Sequence, residues 1–268
     1  MSLSLTHRVE RVGSGFDPKL TGHFGLGSTG SRLKILQVLT LKKRVGSSQV
    51  CGLGRNLTAT SNALYAISRS GGTSEFTFLD YNASLMLMRD SHLVKFTNHK
   101  KLGRILNLNT VSHGESWKGI DVLVFNTWHW WRHTGRKQWT WARWVDKHLS
   151  STKTKVYFQG VSPDHMNALN WRAPKARTCV GATQPETNIV THTNKGETIL
   201  EKVLKGMKKP INLLRINKMS QLRRDGHPSI YGIGRQKLPD CTHWCLPGVP
   251  NTWNKLFYTS IFNYSHCV

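Results

Sequence analysis

Two short runs in this chain are apolar at every interior position and then stop on polar residues. One is Asp121-Val122-Leu123-Val124-Phe125-Asn126, the other Lys155-Val156-Tyr157-Phe158-Gln159-Gly160. A strand wetted on one face alternates polar and apolar side chains. An unbroken apolar run belongs to a strand covered on both faces, which is the condition of strands in parallel sheets. In such sheets the carboxyl ends of the strands carry function. Further elements fit around these two. Trp139 to His148 has helical content. Thr198 to Lys208 sets Ile199, Val203, Leu204 and Met207 on one side, and Thr252 to Phe262 does the same with Trp253, Leu256, Phe257 and Ile261. Glu75 to Phe78 alternates as a strand does, Ser84 to Arg89 reads as a second strand and Ile211 to Ile216 as another. Leu33 to Leu39 reads as a strand or a short helix. Strands alternating with helices predict an α/β fold, a parallel sheet flanked by helices.

The chain has 268 residues, enough for one large α/β domain or two small ones. Residues 1–64 are rich in Gly and Ser with little periodicity, and are expected to be largely loop; residues 65–268 form the expected folded domain. No run approaches the ~20 apolar residues of a membrane span, and Met1 to Lys19 lacks the apolar centre of a signal peptide. The net charge is +24. That suits a polyanionic partner, nucleic acid or acidic glycan, but the basic residues are spread along the chain and form no long tail. Sequons at Asn56, Asn82 and Asn263 permit N-glycosylation in a secretory lumen.

The chemistry concentrates in Asp240-Cys241-Thr242-His243-Trp244-Cys245, followed by Leu246-Pro247-Gly248. A carboxylate three residues from an imidazole can orient it and stabilise its charged form, two parts of a nucleophilic triad. The plain alternative is a polar loop with a capping aspartate. Cys241, His243 and Cys245 alternate too tightly for a zinc knuckle. A disulfide that pins the loop fits better, with Cys179, Cys245 or Cys267 as partners. Asn126, at the end of an apolar run, can donate its amide to a developing oxyanion. Trp130 and Trp131 just beyond it can stack on sugar faces or serve as core. His227, before Pro228, is held extended and can bind substrate or structure its loop. The sequence holds no G-x-S-x-G elbow at a strand–helix junction, no Walker A motif and no G-x-G-x-x-G after a strand.

Taken together, Asp240 to Asn254, Asp121 to Trp131, Val156 to Pro163, Trp171 to Pro185, Ser220 to Gly232 and Tyr81 to Leu87 resemble the plant trichome birefringence-like family of polysaccharide O-acetyltransferases. The resemblance covers Tyr65 to Phe262. It implies a three-layer fold like that of the Ser-Gly-Asn-His hydrolases, here incomplete. It also implies an acyl-enzyme mechanism in which the serine of a Gly-Asp-Ser motif carries acetyl to a sugar hydroxyl. Asp240 and His243 then complete the triad, and Asn126 serves the oxyanion. The resemblance further implies a polysaccharide acceptor of the xylan or pectin class, an acetyl donor rather than a bound cofactor or metal, no nucleic-acid partner, and a Golgi membrane-anchored setting.

Three departures accompany it. Gly-Asp-Ser is absent; the nearest remnant is Val45-Gly46-Ser47-Ser48, which makes Ser48 the candidate nucleophile by position alone. Gln138-Trp139 joins segments that the family separates. No N-terminal anchor is evident. These departures leave a rival expectation, a glycan-binding paralogue without catalysis. A basic nucleic-acid-binding protein is a further alternative, motivated by charge alone.

Overall fold

A computed structural model of the chain describes residues 8–10, 33–39, 65–70, 73–78, 83–90, 92–127, 137–166, 178–187, 195–232 and 239–263. The chain divides into two compact units. The first comprises residues 1–42, 55–158 and 203–212, the second 43–54, 159–202 and 213–268.

The first unit is built on a mixed sheet. Its strands in chain order are β1 (Arg8–Glu10), β2 (Leu33–Leu39), β3 (Tyr65–Ser70), β4 (Thr73–Phe78), β5 (Ala83–Arg89), then β8 (Val122–Asn126), β9 (Lys155–Gln159) and β10 (Ile211–Leu214). Their spatial order is β1-β3-β4-β5-β2-β8-β9-β10. Strands β1, β3, β4 and β5 pair antiparallel in succession. From β5 onward the pairing is parallel, β5 to β2, β2 to β8 and β8 to β9. Leu33 to Leu39 is thus a strand, placed between β5 and β8. From β2 the chain builds β3, β4 and β5 on one side and then crosses to β8 on the other, so β2 lies at a topological switch point. Ligands of open α/β sheets bind outside the carboxyl ends of the strands at such a point. Leu39 pairs with Arg89 and with Asn126, which brings three carboxyl ends to one edge.

Both apolar runs are the parallel strands they suggest. Leu123, Phe125, Val156 and Phe158 are fully buried, and Val122, Val124 and Tyr157 nearly so. Trp141, on the helix α2 (Lys137–Leu149), packs edge-on against Phe125 at 5.2 Å and Phe158 at 5.3 Å. Trp117, from the short helix α1 (Gly114–Trp117), meets Phe125 at 5.0 Å and Trp144 at 5.2 Å. Burying an aromatic side chain of this size in such a cluster is worth about 3–5 kcal/mol against its truncation to Ala. A Cβ on Gly114 would lie 2.4 Å from the Trp144 indole, so only glycine lets α1 and α2 approach this closely.

A hairpin that the sequence pattern does not announce, β6 (Val94–His99) with β7 (Gly103–Val111), forms a second sheet. Its turn ends on Gly103 at φ +70°, and Asp90 ties its base by accepting the Leu93 N–H at 2.9 Å and the Ser112 hydroxyl at 2.8 Å. The helix read at Thr198 to Lys208 is displaced to α3 (Lys195–Lys205). It stops early because the N–H groups of Gly206 and Met207 tighten onto the Val203 and Leu204 carbonyls, and those of Lys208 and Lys209 turn to Asp146. The strand read to Ile216 ends at Leu214, where the Ile216 N–H turns back onto the Leu214 carbonyl. The second unit contains α4 (Asn217–Gln221), a 3-10 turn (Arg224–Gly226) and α5 (Val249–Asn263). Among the described residues, no helix is long and apolar enough to cross a membrane.

Candidate active site

The second unit folds the Asp240 loop by backbone pairing first. Ser229 and Asp240 exchange both N–H···O bonds, each at 2.9 Å, in an isolated antiparallel bridge. His227, fixed before Pro228, is extended at φ −92° and ψ 153°, and Ser229 then takes φ 53°, a left-handed turn that aims its backbone at Asp240. Gly232 passes so close that an added Cβ would lie 2.5 Å from the Asp240 Cβ. On the other flank, Cys241 is bonded to Cys179, 62 residues earlier, with Cα atoms 5.5 Å apart. This selects Cys179 from the three partners left open by the sequence. Closing a loop of that length restricts the unfolded chain and is worth roughly 4 kcal/mol by the chain-entropy account. The His165 N–H donates to the Cys241 carbonyl at 2.9 Å, and the Cys245 N–H to the Gly226 carbonyl at 2.9 Å.

Within this frame Asp240 spends its two oxygens differently. Oδ1 accepts the backbone N–H groups of Thr242 and His243 and the Thr242 hydroxyl, all at 3.1 Å. This is the local turn that aspartate favours. Oδ2 faces His243 Nδ1 at 2.8 Å. A carboxylate can only accept, so Nδ1 carries the proton, and in the neutral ring Nε2 presents its lone pair. Among the described residues Nε2 has no hydrogen-bond partner. The His243 side chain is 55% exposed while Asp240 is 28% exposed. The acid is therefore more sheltered than the imidazole it orients. Burial favours the neutral form of Asp240. The N–H groups of His243 and Thr242 and the imidazole outweigh it, and hold the carboxyl below its ordinary 3.8.

Behind the pair lies a buried cluster. His227 Nδ1 donates to the His243 carbonyl at 2.5 Å, and its ring stacks on Trp244 with centroids 4.1 Å apart. Its Nε2 meets His165 Nδ1 at 2.6 Å, and His165 Nε2 donates to the carbonyl of Gln221, the last residue of α4, at 3.0 Å. Trp244 Nε1 donates to the Ser162 hydroxyl at 2.7 Å. The Trp253 indole meets Trp244 edge-on at 5.7 Å. A salt bridge from Arg224 to Glu186 and a forked one from Arg223 to Asp225 flank the 3-10 turn.

The structure thus brings Asp240, His243 and His227 together in one unit, with His227 beneath the His243 backbone. Asn126 ends β8 in the first unit. Trp130, Trp131 and Ser48 lie outside the described residues. His165 and Ser162 escaped the sequence reading. The available signal was their position just past the carboxyl end of β9, where parallel sheets place functional side chains. Among the described residues, no cluster of three or more His, Cys, Asp or Glu is arranged to hold a metal.

The family comparison agrees with a mixed α/β fold. Residues 40–140 and 135–260 match the model of PC-Esterase, described as a GDSL/SGNH-like acyl-esterase family found in Pmr5 and Cas1p. The chain belongs to this PC-esterase family, in its trichome birefringence-like branch. It is similar to Protein trichome birefringence-like 42 of Arabidopsis thaliana, 40% identical over 233 residues that cover 77% of this chain and 65% of that protein. It is also similar to Protein trichome birefringence-like 1 of the same plant, 34% identical over 294 residues covering 91% of this chain and 52% of that protein. The chain therefore spans less than two thirds of the length of these relatives. The two matched segments overlap at 135–140, around the Gln138-Trp139 junction.

Proposed function

We propose that this chain is an acyltransferase that moves acetyl groups onto polysaccharide hydroxyls, with His243 as general base and acid and Asp240 as its orienting partner. One observation carries the reading: the 2.8 Å contact of Asp240 Oδ2 with His243 Nδ1, which leaves the lone pair of the neutral ring on the opposite nitrogen of a largely exposed side chain. In the first half-reaction a serine hydroxyl attacks the donor's acetyl carbonyl and gives its proton to His243 Nε2. The tetrahedral intermediate collapses, and the leaving group takes that proton. In the second, a sugar hydroxyl gives its proton to Nε2 as its oxygen attacks the acyl-serine. The serine leaves with the proton returned to it. Asp240 stabilises the imidazolium formed in each half and does not itself take the proton. By its place in the sequence Ser48 is the candidate nucleophile, and Asn126 the candidate oxyanion donor. The reading extends, as the resemblance implies, to a cell-wall glycan such as xylan or pectin as acceptor and to the Golgi as the setting.

A second reading has its own observation. No Gly-Asp-Ser occurs in the sequence. A chain lacking its nucleophile retains glycan binding and loses transfer, typically by orders of magnitude. Incubating purified protein with an acetyl donor and xylan or pectin oligomers separates the two readings. Acetylated oligomer, lost in Asp240→Ala and in His243→Ala, supports the enzyme. Oligomer binding with no acetylation at any enzyme concentration supports the binding protein.

A further inference from the structure

The buried histidines behind His243 pose a proton-counting problem. His227 Nδ1 faces a carbonyl, that of His243, so it must donate. His165 Nε2 faces the Gln221 carbonyl, so it must donate too. A neutral imidazole has one N–H. Two neutral rings that both donate outward therefore turn bare lone pairs toward each other across the 2.6 Å gap between His165 Nδ1 and His227 Nε2. That arrangement is repulsive. It becomes a short, charge-assisted hydrogen bond once a single further proton sits between the rings.

Burial is the largest influence against that proton, and the net of all influences lowers His165 and leaves His227 at about 4. Several groups act for it. Stacking on the Trp244 face stabilises a cationic ring. The carboxylates of Asp164, Asp225 and Asp240 all favour it, while Arg224 opposes it at His165. Of the remaining charged or titratable neighbours, His243 enters through its carbonyl, which the proton-bearing pair grips. Both histidines are nearly sealed from solvent, at 2% and 5% exposure. A neutral pair cannot repair itself by inserting bulk water. It must instead surrender one of its two carbonyl bonds.

We propose that His165 and His227 share one proton, and that this proton fixes the loop bearing His243, making the two histidines positioning residues whose grip loosens as pH rises. The reading of His243 as catalytic base underlies the functional half of this proposal. The proton count itself does not depend on it. Losing the extra proton frees one ring to flip or swing, and the ring whose bond reaches the site is His227. When that ring is His227, the His243 carbonyl loses its donor, and the loop bearing His243 loses one of the contacts that hold it.

The direct experiment is a histidine side-chain nitrogen and proton magnetic-resonance titration of the full chain, from about pH 3 to about pH 8. The expected result is a strongly deshielded proton coupled to one nitrogen of each ring at the acidic end, lost as pH rises. It should be absent from His165→Gln, which keeps a donor for the Gln221 carbonyl but nothing to share. Two rings that both stay neutral, or that titrate independently with no shared proton, overturn the proposal. This readout needs no enzymatic activity, so it stands or falls apart from acetyl transfer. Where transfer is measurable, the wild-type rate should fall on the alkaline side by about tenfold, the size of one lost charge-assisted bond. That limb should vanish in His165→Gln and in His227→Asn, which retains a donor toward the His243 carbonyl. A rate lowered equally at every pH in both variants would mean a packing role alone and would also overturn it.

Discussion

Asp240 holds His243 at two points at once: Oδ2 takes the imidazole Nδ1 proton at 2.8 Å and Oδ1 takes the backbone N–H of the same residue at 3.1 Å. One carboxylate therefore fixes both where the residue sits and how its ring is turned. The bridge to Ser229 and the disulfide to Cys179 then fix the carboxylate's own backbone from both sides. Catalytic geometry depends on this kind of support, because a basic nitrogen that wanders is out of line with the proton it must accept.

Asp240→Asn keeps the shape but offers an amide where an anion stood. With the amide N–H turned to the ring, the tautomer inverts and Nε2 holds a proton it should accept. The expected loss in kcat is about 10⁴-fold, as for this exchange in a serine protease triad, with an unchanged circular dichroism spectrum. A loss of less than tenfold would show that the carboxylate does not set the tautomer.

The acid side of the stability profile should carry the mark of Asp240. Its folded pKa lies below the ordinary value, so the unfolded chain binds the proton more tightly. The stabilisation is complete above the unfolded value and drains away as pH falls through the folded one. Melting temperature measured from about pH 6 downward should drop less steeply in Asp240→Ala than in the wild type below about pH 4. Parallel curves would remove Asp240 from the linkage.

Replacing Cys179 and Cys241 together by Ser should lower unfolding free energy by roughly 2–4 kcal/mol. Denaturant titration with and without reductant measures it, and the double variant should be indifferent to reductant. Wild-type stability equally indifferent to reductant would show that the bond does not form.

Gly232→Ala places a methyl 2.5 Å from the Asp240 Cβ. Backbone or carboxylate must yield, at about 1–3 kcal/mol. Transfer should suffer more than stability does, since the displaced group is the one that orients His243. A variant with full activity and wild-type melting would contradict the close approach.

The parallel half of the sheet was legible because burial on both faces forbids polar residues, and Val122 to Phe125 show that constraint in every position. The β6–β7 hairpin was not. Lys95, Asn98 and His99 lie on an exposed ribbon, and its pairing gives no apolar alternation to read. The ends of α3 and β10 depend on Asp146 and on a local turn, which no periodicity reports. At the site, Asp240 and His243 were visible because their partnership is local, three residues apart. The same spacing occurs in ordinary polar loops, and only the surrounding motifs singled it out. His165 was invisible for the opposite reason: its partner His227 is 62 residues away, and nothing in Asp164-His165 announces that meeting. Choosing Cys179 over Cys245 or Cys267 likewise required the fold.

The central claim is that His243, oriented by Asp240, moves protons in acyl transfer. It is tested most directly by acetylation of xylan or pectin oligomers with wild type, Asp240→Ala and His243→Ala side by side, each checked for folding. The account predicts transfer by the wild type and a loss of at least about 10³-fold in both variants. Transfer at an undiminished rate in both would contradict it.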